Sequence, residues 1–249
     1  MSTLNQIANN RINLRAAKSQ GFTLVEIMLA ITLSLILIAG VLQIYLSSKT
    51  SFNVQKELAR VQESERISID FLQRDISQAG FNIPLSMDKI TVTEGANNAS
   101  DSITVRYASK TDCLGQATPN GIAINNYFIS VDALGNSTNQ LMCLGNGSAT
   151  PLPIADGINN MQILIGEDSI NNGSSTYAKQ MRSADRYIKV GSLASLNQAA
   201  SIRVALLIQS AAAVREANVA QSFTLLDTVV NTSNRLKQQV VTTTIPLRN

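Results

Sequence analysis

Hydrophobic and polar positions divide the chain into four stretches. Residues 1–21 are polar and contain no acidic side chain. Residues 22–46 read FTLVEIMLAITLSLILIAGVLQIYL, apolar almost throughout, with Glu26 as the single charge. A helix needs about 20 such residues to cross the hydrocarbon core of a bilayer, so this run predicts one transmembrane helix with room to tilt. A secretory signal has a shorter apolar core followed by a small-residue cut site, and no clear A-x-A site follows here.

Beyond Ser47 the pattern becomes amphipathic. Val54, Leu58, Val61, Ser68, Leu72, Ile76 and Ala79 step by threes, fours and one seven, interrupted by Glu65. That spacing predicts one helical face buried against something else. Arg60, Glu63 and Arg74 fall on the outward side, and Glu63–Arg66 and Asp70–Arg74 are spaced as intrahelical ion pairs. No proline occurs between Phe22 and Ile83, so one helix should run through both stretches to about Ala79. Gly80 and Pro84 then supply the stop.

From Gly95 onward short β-like runs alternate with Asn, Gly, Ser and Asp. They predict strands near 103–108, 122–131, 140–144, 160–165, 202–209 and 237–246. Asp132-Ala133-Leu134-Gly135-Asn136 reads as a hairpin turn, 171–176 as a surface loop, and 211–221 as a short helix or a loop. The resulting class is α+β: a long N-terminal helix packed on an antiparallel β-sheet head. Its expected parts are a cleaved leader over 1–21, a membrane helix over 22–50, its amphipathic continuation over 51–82, and a head over 83–249.

Composition narrows the chemistry. The chain has no histidine, which removes Ser-His, Cys-His and His-zinc catalysis. The expectation is no enzyme, cofactor or metal. A faint calcium-loop likeness at 168–179 fails, because Ile170 and Lys179 stand where oxygen ligands belong. The formal charge of +3 resides in Arg11, Arg15 and Lys18; removing residues 1–21 leaves 17 basic against 17 acidic groups. The basic pI therefore says nothing about nucleic acid, while three bases beside an apolar run suit the positive-inside rule. Cys113 and Cys143 are the two cysteines. They read either as buried free thiols or, with the head outside the cytoplasm, as one disulfide.

The most informative motif is Gln20-Gly21-Phe22-Thr23-Leu24-Val25-Glu26 at the head of the apolar run. Gly21 allows close approach to the backbone. A carboxylate one turn into a helix is favoured by the dipole, and in hydrocarbon it calls for a partner. This stretch resembles the class III signal of type IV prepilins and type II secretion pseudopilins. The resemblance implies cleavage after Gly21 by a prepilin peptidase, N-methylation of the new N-terminal Phe22, and a role for Glu26 in assembly through a neighbour's amine. The leader is longer than is common, and Gln20 stands where a basic residue is frequent.

Residues 58–81, LARVQESERISIDFLQRDISQAGF, and the ending VVTTTIPLRN resemble the minor pilins of the PilW type. In that group Arg-Asp-x-x-x-Ala-Gly closes the long helix, matched here by Arg74, Asp75, Ala79 and Gly80. A tryptophan often found before the SIRVALL-like strand is absent. The resemblance implies a minor pilin in the initiation or tip complex of a type IV pilus, supporting adhesion, twitching or DNA uptake. Its partners would be other minor pilins and the major pilin, with a tip adhesin and the inner-membrane assembly platform as further candidates. It would sit in the inner membrane with a periplasmic head, then in the pilus. A J-like pseudopilin of type II secretion is the alternative, and a membrane-anchored periplasmic enzyme or receptor a distant one.

Overall fold

The computed structural model describes residues 21–131, 139–167, 184–189 and 199–247. The expected hairpin turn at 132–136, the loop at 171–176 and the calcium-like stretch at 168–179 lie outside them. Helix α1 is continuous over Leu24–Gln78, and the chain divides after Ser51 into two compact units.

In the first unit every described residue is exposed, including Leu29, Ile36, Leu37 and Ile44. Among the described residues of this unit nothing covers the helix. It is long and apolar enough to cross a membrane, with a mean hydropathy of 2.5 over its most apolar window.

The second unit contains the rest of α1 and eleven described strands. β1 (Ile90–Thr93), β2 (Ser102–Ala108), β3 (Ile122–Val131), β4 (Asn139–Gly145) and β5 (Leu152–Asp156) form an antiparallel sheet in chain order. β6 (Ile158–Glu167), β7 (Arg186–Ile188), β8 (Ala199–Gln209) and β11 (Gln238–Pro246) form a second sheet in the order β11-β8-β6-β7. β9 (Val219–Leu225) and β10 (Thr228–Asn234) pair as a hairpin. The expected helix or loop at 211–221 is therefore a loop that becomes strand at Val219.

Both sheets contribute to one core. Ile103, Val105, Tyr127 and Leu141 from the first join Met161, Ile163, Ile202, Leu206 and Ile245 from the second, together with Val61, Leu72 and Ile76 of α1. The hairpin covers the opposite face of the second sheet, with Leu225 packed on Ala205 and Leu207. Asp101 clips the sheets together. Its Oδ1 accepts the Gly95 N–H at 2.9 Å, its Oδ2 accepts the Ile163 N–H at 2.8 Å, and its own N–H donates to the Met161 carbonyl. The carboxylate thus serves the edge of β6 where, among the described residues, no strand pairs with it.

The buried stripe of α1 differs from the sequence pattern at its start. Val54 and Leu58 are 38% and 37% exposed, and Glu57 is buried instead. The physical reason is the turn after β8, whose Ala211 and Ala212 N–H groups donate to Glu57 Oε2 at 3.0 and 3.1 Å. A carboxylate satisfies two backbone donors that a leucine would leave bare. From Val61 onward Ser68, Leu72, Ile76 and Ala79 are buried as the spacing predicts, and Arg60, Glu63 and Arg74 point outward. Arg66 pairs with Glu63 at 2.6 Å and lies 3.9 Å from Asp70. Arg74 turns away from Asp70 toward Asp75 and stacks on the Phe71 ring. The helix ends at Gly80, whose φ of 85° is the left-handed geometry that favours glycine.

Leu72 is fully buried between helix and sheets. Leu72→Ala is expected to lower the stability of the second unit by about 2–5 kcal/mol in a denaturant titration. An unchanged midpoint would remove it from the core.

Candidate processing and assembly site

Gly21, Phe22 and Glu26 all fall within the first turn of α1 or immediately before it. Thr23 begins the helix: the Glu26 N–H donates to the Thr23 carbonyl at 3.1 Å and to its Oγ1 at 3.2 Å. Thr23-x-x-Glu26 has the form of a capping box, a local reason for Glu26 that the sequence reading passed over. Among the described residues, nothing lies within 4 Å of a Cβ built on Gly21. Phe22 is 77% exposed. A bare glycine, an exposed aromatic and a carboxylate one turn into a helix form an accessible peptide ahead of a hydrophobic rod.

Cys113 and Cys143 are joined by a disulfide, with Cα atoms 6.6 Å apart and a sequence separation of 30. The loop bearing Cys113 is held independently of the bond. Asp112 Oδ1 accepts the Leu114 and Gln116 N–H groups, and its Oδ2 accepts the Gly147 N–H, each at 2.9 Å. The Cys113 N–H donates to Asn125 Oδ1 at 3.0 Å. Closing a loop of this length stabilises by roughly 3–4 kcal/mol in the chain-entropy picture. Cys143→Ser is expected to cost about that much, read as a lower denaturation midpoint; no change under non-reducing conditions would show the bond to be without effect.

Asn125 also faces the helix. Its Nδ2 donates to Asp75 Oδ2 at 2.6 Å, and the Tyr127 hydroxyl donates to the same oxygen. Tyr107 OH lies 3.2 Å from Asn125 Nδ2. Asp75 is fully buried, and Arg74 Nε stands 3.5 Å from its Oδ1. Burial first, then the neighbouring Asp75 charge, pushes the Tyr107 and Tyr127 hydroxyls well above the ordinary tyrosine range, so both stay protonated, Tyr127 as a donor to Asp75 and Tyr107 accepting from Asn125. The sequence showed Asp75 as part of a helix-closing motif but not its partners, which lie 50 and 52 residues away.

A family profile described as a prokaryotic N-terminal methylation motif matches residues 16–42. A second, described as type IV pilus-assembly protein W, matches residues 126–249, from within β3 to the last residue. The chain is a type IV prepilin-like protein. Within that group it is most like the PilW-type minor pilins, whose family is structural and not catalytic. No curated protein sequence matches it. Among solved structures, a type IV-like pilin from Thermus thermophilus is similar at a TM-score of 0.48 and 10% identity, covering 76% of this chain and 95% of that one. The GspK-GspI-GspJ complex of the enterotoxigenic Escherichia coli type 2 secretion system contains a chain similar at a TM-score of 0.35 and 14% identity, covering 59% of this chain and 88% of that one.

Proposed function

We propose that this prepilin-like protein is a minor pilin of a type IV pilus, taking part in its initiation or tip complex. The peptide Gly21-Phe22 is the processing site: a prepilin peptidase removes residues 1–21 and methylates the Phe22 amine. Residues 22–50 then anchor the subunit in the inner membrane and later pack in the filament core. Residues 51–82 carry the head, 83–249, on the periplasmic side, where it meets other minor pilins and the major pilin.

The observation that carries this reading is the exposed Gly21-to-Glu26 peptide opening a helix that finds no cover within its own unit. A glutamate in hydrocarbon without a partner costs about 2–4 kcal/mol. A neighbour's Phe22 amine, created by cleavage, answers that cost in the filament. Glu26→Ala is therefore expected to leave insertion, processing and head stability unchanged while sharply lowering recovery of the subunit with other pilins. The check is co-purification of pilins and surface piliation in one strain. Normal recovery and normal pili, where deletion of the whole chain abolishes them, would refute the assembly role.

A further inference from the structure

The second unit carries a basic rim beside the point where its helix enters. We propose that this rim docks on anionic phospholipid headgroups of the bilayer that holds the chain, an inference that rests on the anchored-pilin reading above.

The rim is assembled by backbone contacts. Glu57 accepts the Ala211 and Ala212 N–H groups, which places the turn after β8 against the first turns of α1 in this unit. The 235–237 turn lies beside it: the Ser210 N–H donates to the Lys237 carbonyl at 2.8 Å, and the Val214 and Arg215 N–H groups donate to the Arg235 carbonyl at 3.0 and 3.1 Å. Lys56 and Arg60 come from the helix; Arg215, Arg235 and Lys237 come from the turns.

The opposing charge is smaller. Glu57 is buried, with two backbone donors on Oε2 and Arg60 Nη1 3.9 Å from Oε1, so it offsets part of the Arg60 charge. Asp156 and Glu216 are the exposed acids among the described residues here, Asp156 placed by the Gln209 N–H donating to the Gly157 carbonyl at 2.7 Å. The arginines are held in place, Arg215 Nη1 on Gln221 Oε1 at 2.7 Å and Arg235 Nε on the Arg215 carbonyl at 2.9 Å. Between the bases Ala211, Ala212 and Ala213 are all exposed. A small apolar tip set among cations matches a headgroup layer, where apolar and anionic groups lie within a few ångströms of each other.

Along the chain Lys56 follows Leu46, the end of the apolar run, by ten positions, about 15 Å at helical rise. The headgroup layer occupies about 5–8 Å of that distance. The remainder is about one Debye length at physiological salt, so these charges feel the lipid surface.

The chain contains no tryptophan, so Ala213→Trp introduces a single reporter into the full-length protein. In proteoliposomes made with lipid brominated near the headgroup, its fluorescence should be quenched with phosphatidylglycerol and several-fold less with phosphatidylcholine alone. High salt should bring the first toward the second. Lys56→Gln with Lys237→Gln should shift the docking equilibrium by about fivefold per charge removed. Ala217→Trp serves as a second reporter should the first disturb the turn. Equal quenching in both lipids, or none lost in the double variant, overturns the proposal. Quenching that follows protein density rather than lipid charge also overturns it, in favour of a protein neighbour. Failure of the protein to float with vesicles at all would defeat the anchored reading, and the docking with it; normal flotation with lipid-independent fluorescence defeats the docking alone.

Discussion

Gly21→Val is expected to stop maturation. The cell would accumulate a membrane-inserted precursor that keeps residues 1–21 and lacks the added methyl group. The argument is steric. A peptidase must bring its catalytic groups onto the peptide between residues 21 and 22, and a β-branched side chain there fills the space that glycine leaves open. The described fold gives no competing reason for an effect, since no atom of the described residues lies within 4 Å of a Cβ at Gly21. Insertion depends on residues 22–46, which the change does not touch, so membrane extraction and head stability should match the parent protein. Intact mass of membrane-purified protein decides the matter. A valine variant that still begins at Phe22 would place the cut under other control, and a parent protein that begins at Met1 or Ser2 would remove cleavage from the account.

Asp75→Ala should be the most damaging change in the head, at about 3–5 kcal/mol. It removes one small carboxylate, but it leaves the Tyr127 hydroxyl and the Asn125 amide without their acceptor inside the core. Unsatisfied buried donors cost about 1–3 kcal/mol each. Asp75→Asn keeps an oxygen for Tyr127 and should cost clearly less. Denaturant midpoints of the two variants should therefore separate widely. If they coincide, the network does not hold the helix to the sheet. The tyrosines add a pH signature. Their ionisation is raised in the folded state relative to an unfolded value near 10. Their contribution is therefore complete below about pH 10 and is lost as pH rises beyond it. Tyr127→Phe should blunt that alkaline loss.

Much of this architecture could be read from period alone. The six strands expected from alternating apolar runs are present as β2, β3, β4, β6, β8 and β11, each within a few residues of the expected limits. Strands β5, β9 and β10 escaped the pattern for different physical reasons. β9 and β10 (VAQSFTL and TVVNTSN) are mostly exposed, so no core face writes an apolar alternation into them. Their turn puts Leu226 at a φ of 55°, a position where glycine or asparagine would have announced a hairpin. β5 contains Pro153, which argues against a strand except at a sheet edge, and an edge is where it lies. The two buried acids of α1 were hidden by their own chemistry. Glu57 and Asp75 stand at core positions of the helix, but charge at such a position reads as surface until the donors from distant turns and strands are seen. The Gly21-to-Glu26 peptide shows the reverse. Its residues could be named from the sequence because its motif is local, while the use proposed for it involves other molecules.

Built into a filament by its N-terminal helix, as proposed above, and pulled through its head, the subunit would act as a mechanical element. Glu57 fastens α1 to the turn after β8 of the second sheet, and Asp75 fastens it to β3 of the first. The eighteen positions from one to the other span about 27 Å of helix. Tension entering along α1 is divided between these two attachments on one rod, each anchored in a different sheet, with the Asp101 clip tying the sheets to each other. Load is therefore shared by bonds far apart in the head and acting in shear, and the helix cannot be peeled away one turn at a time from a single end.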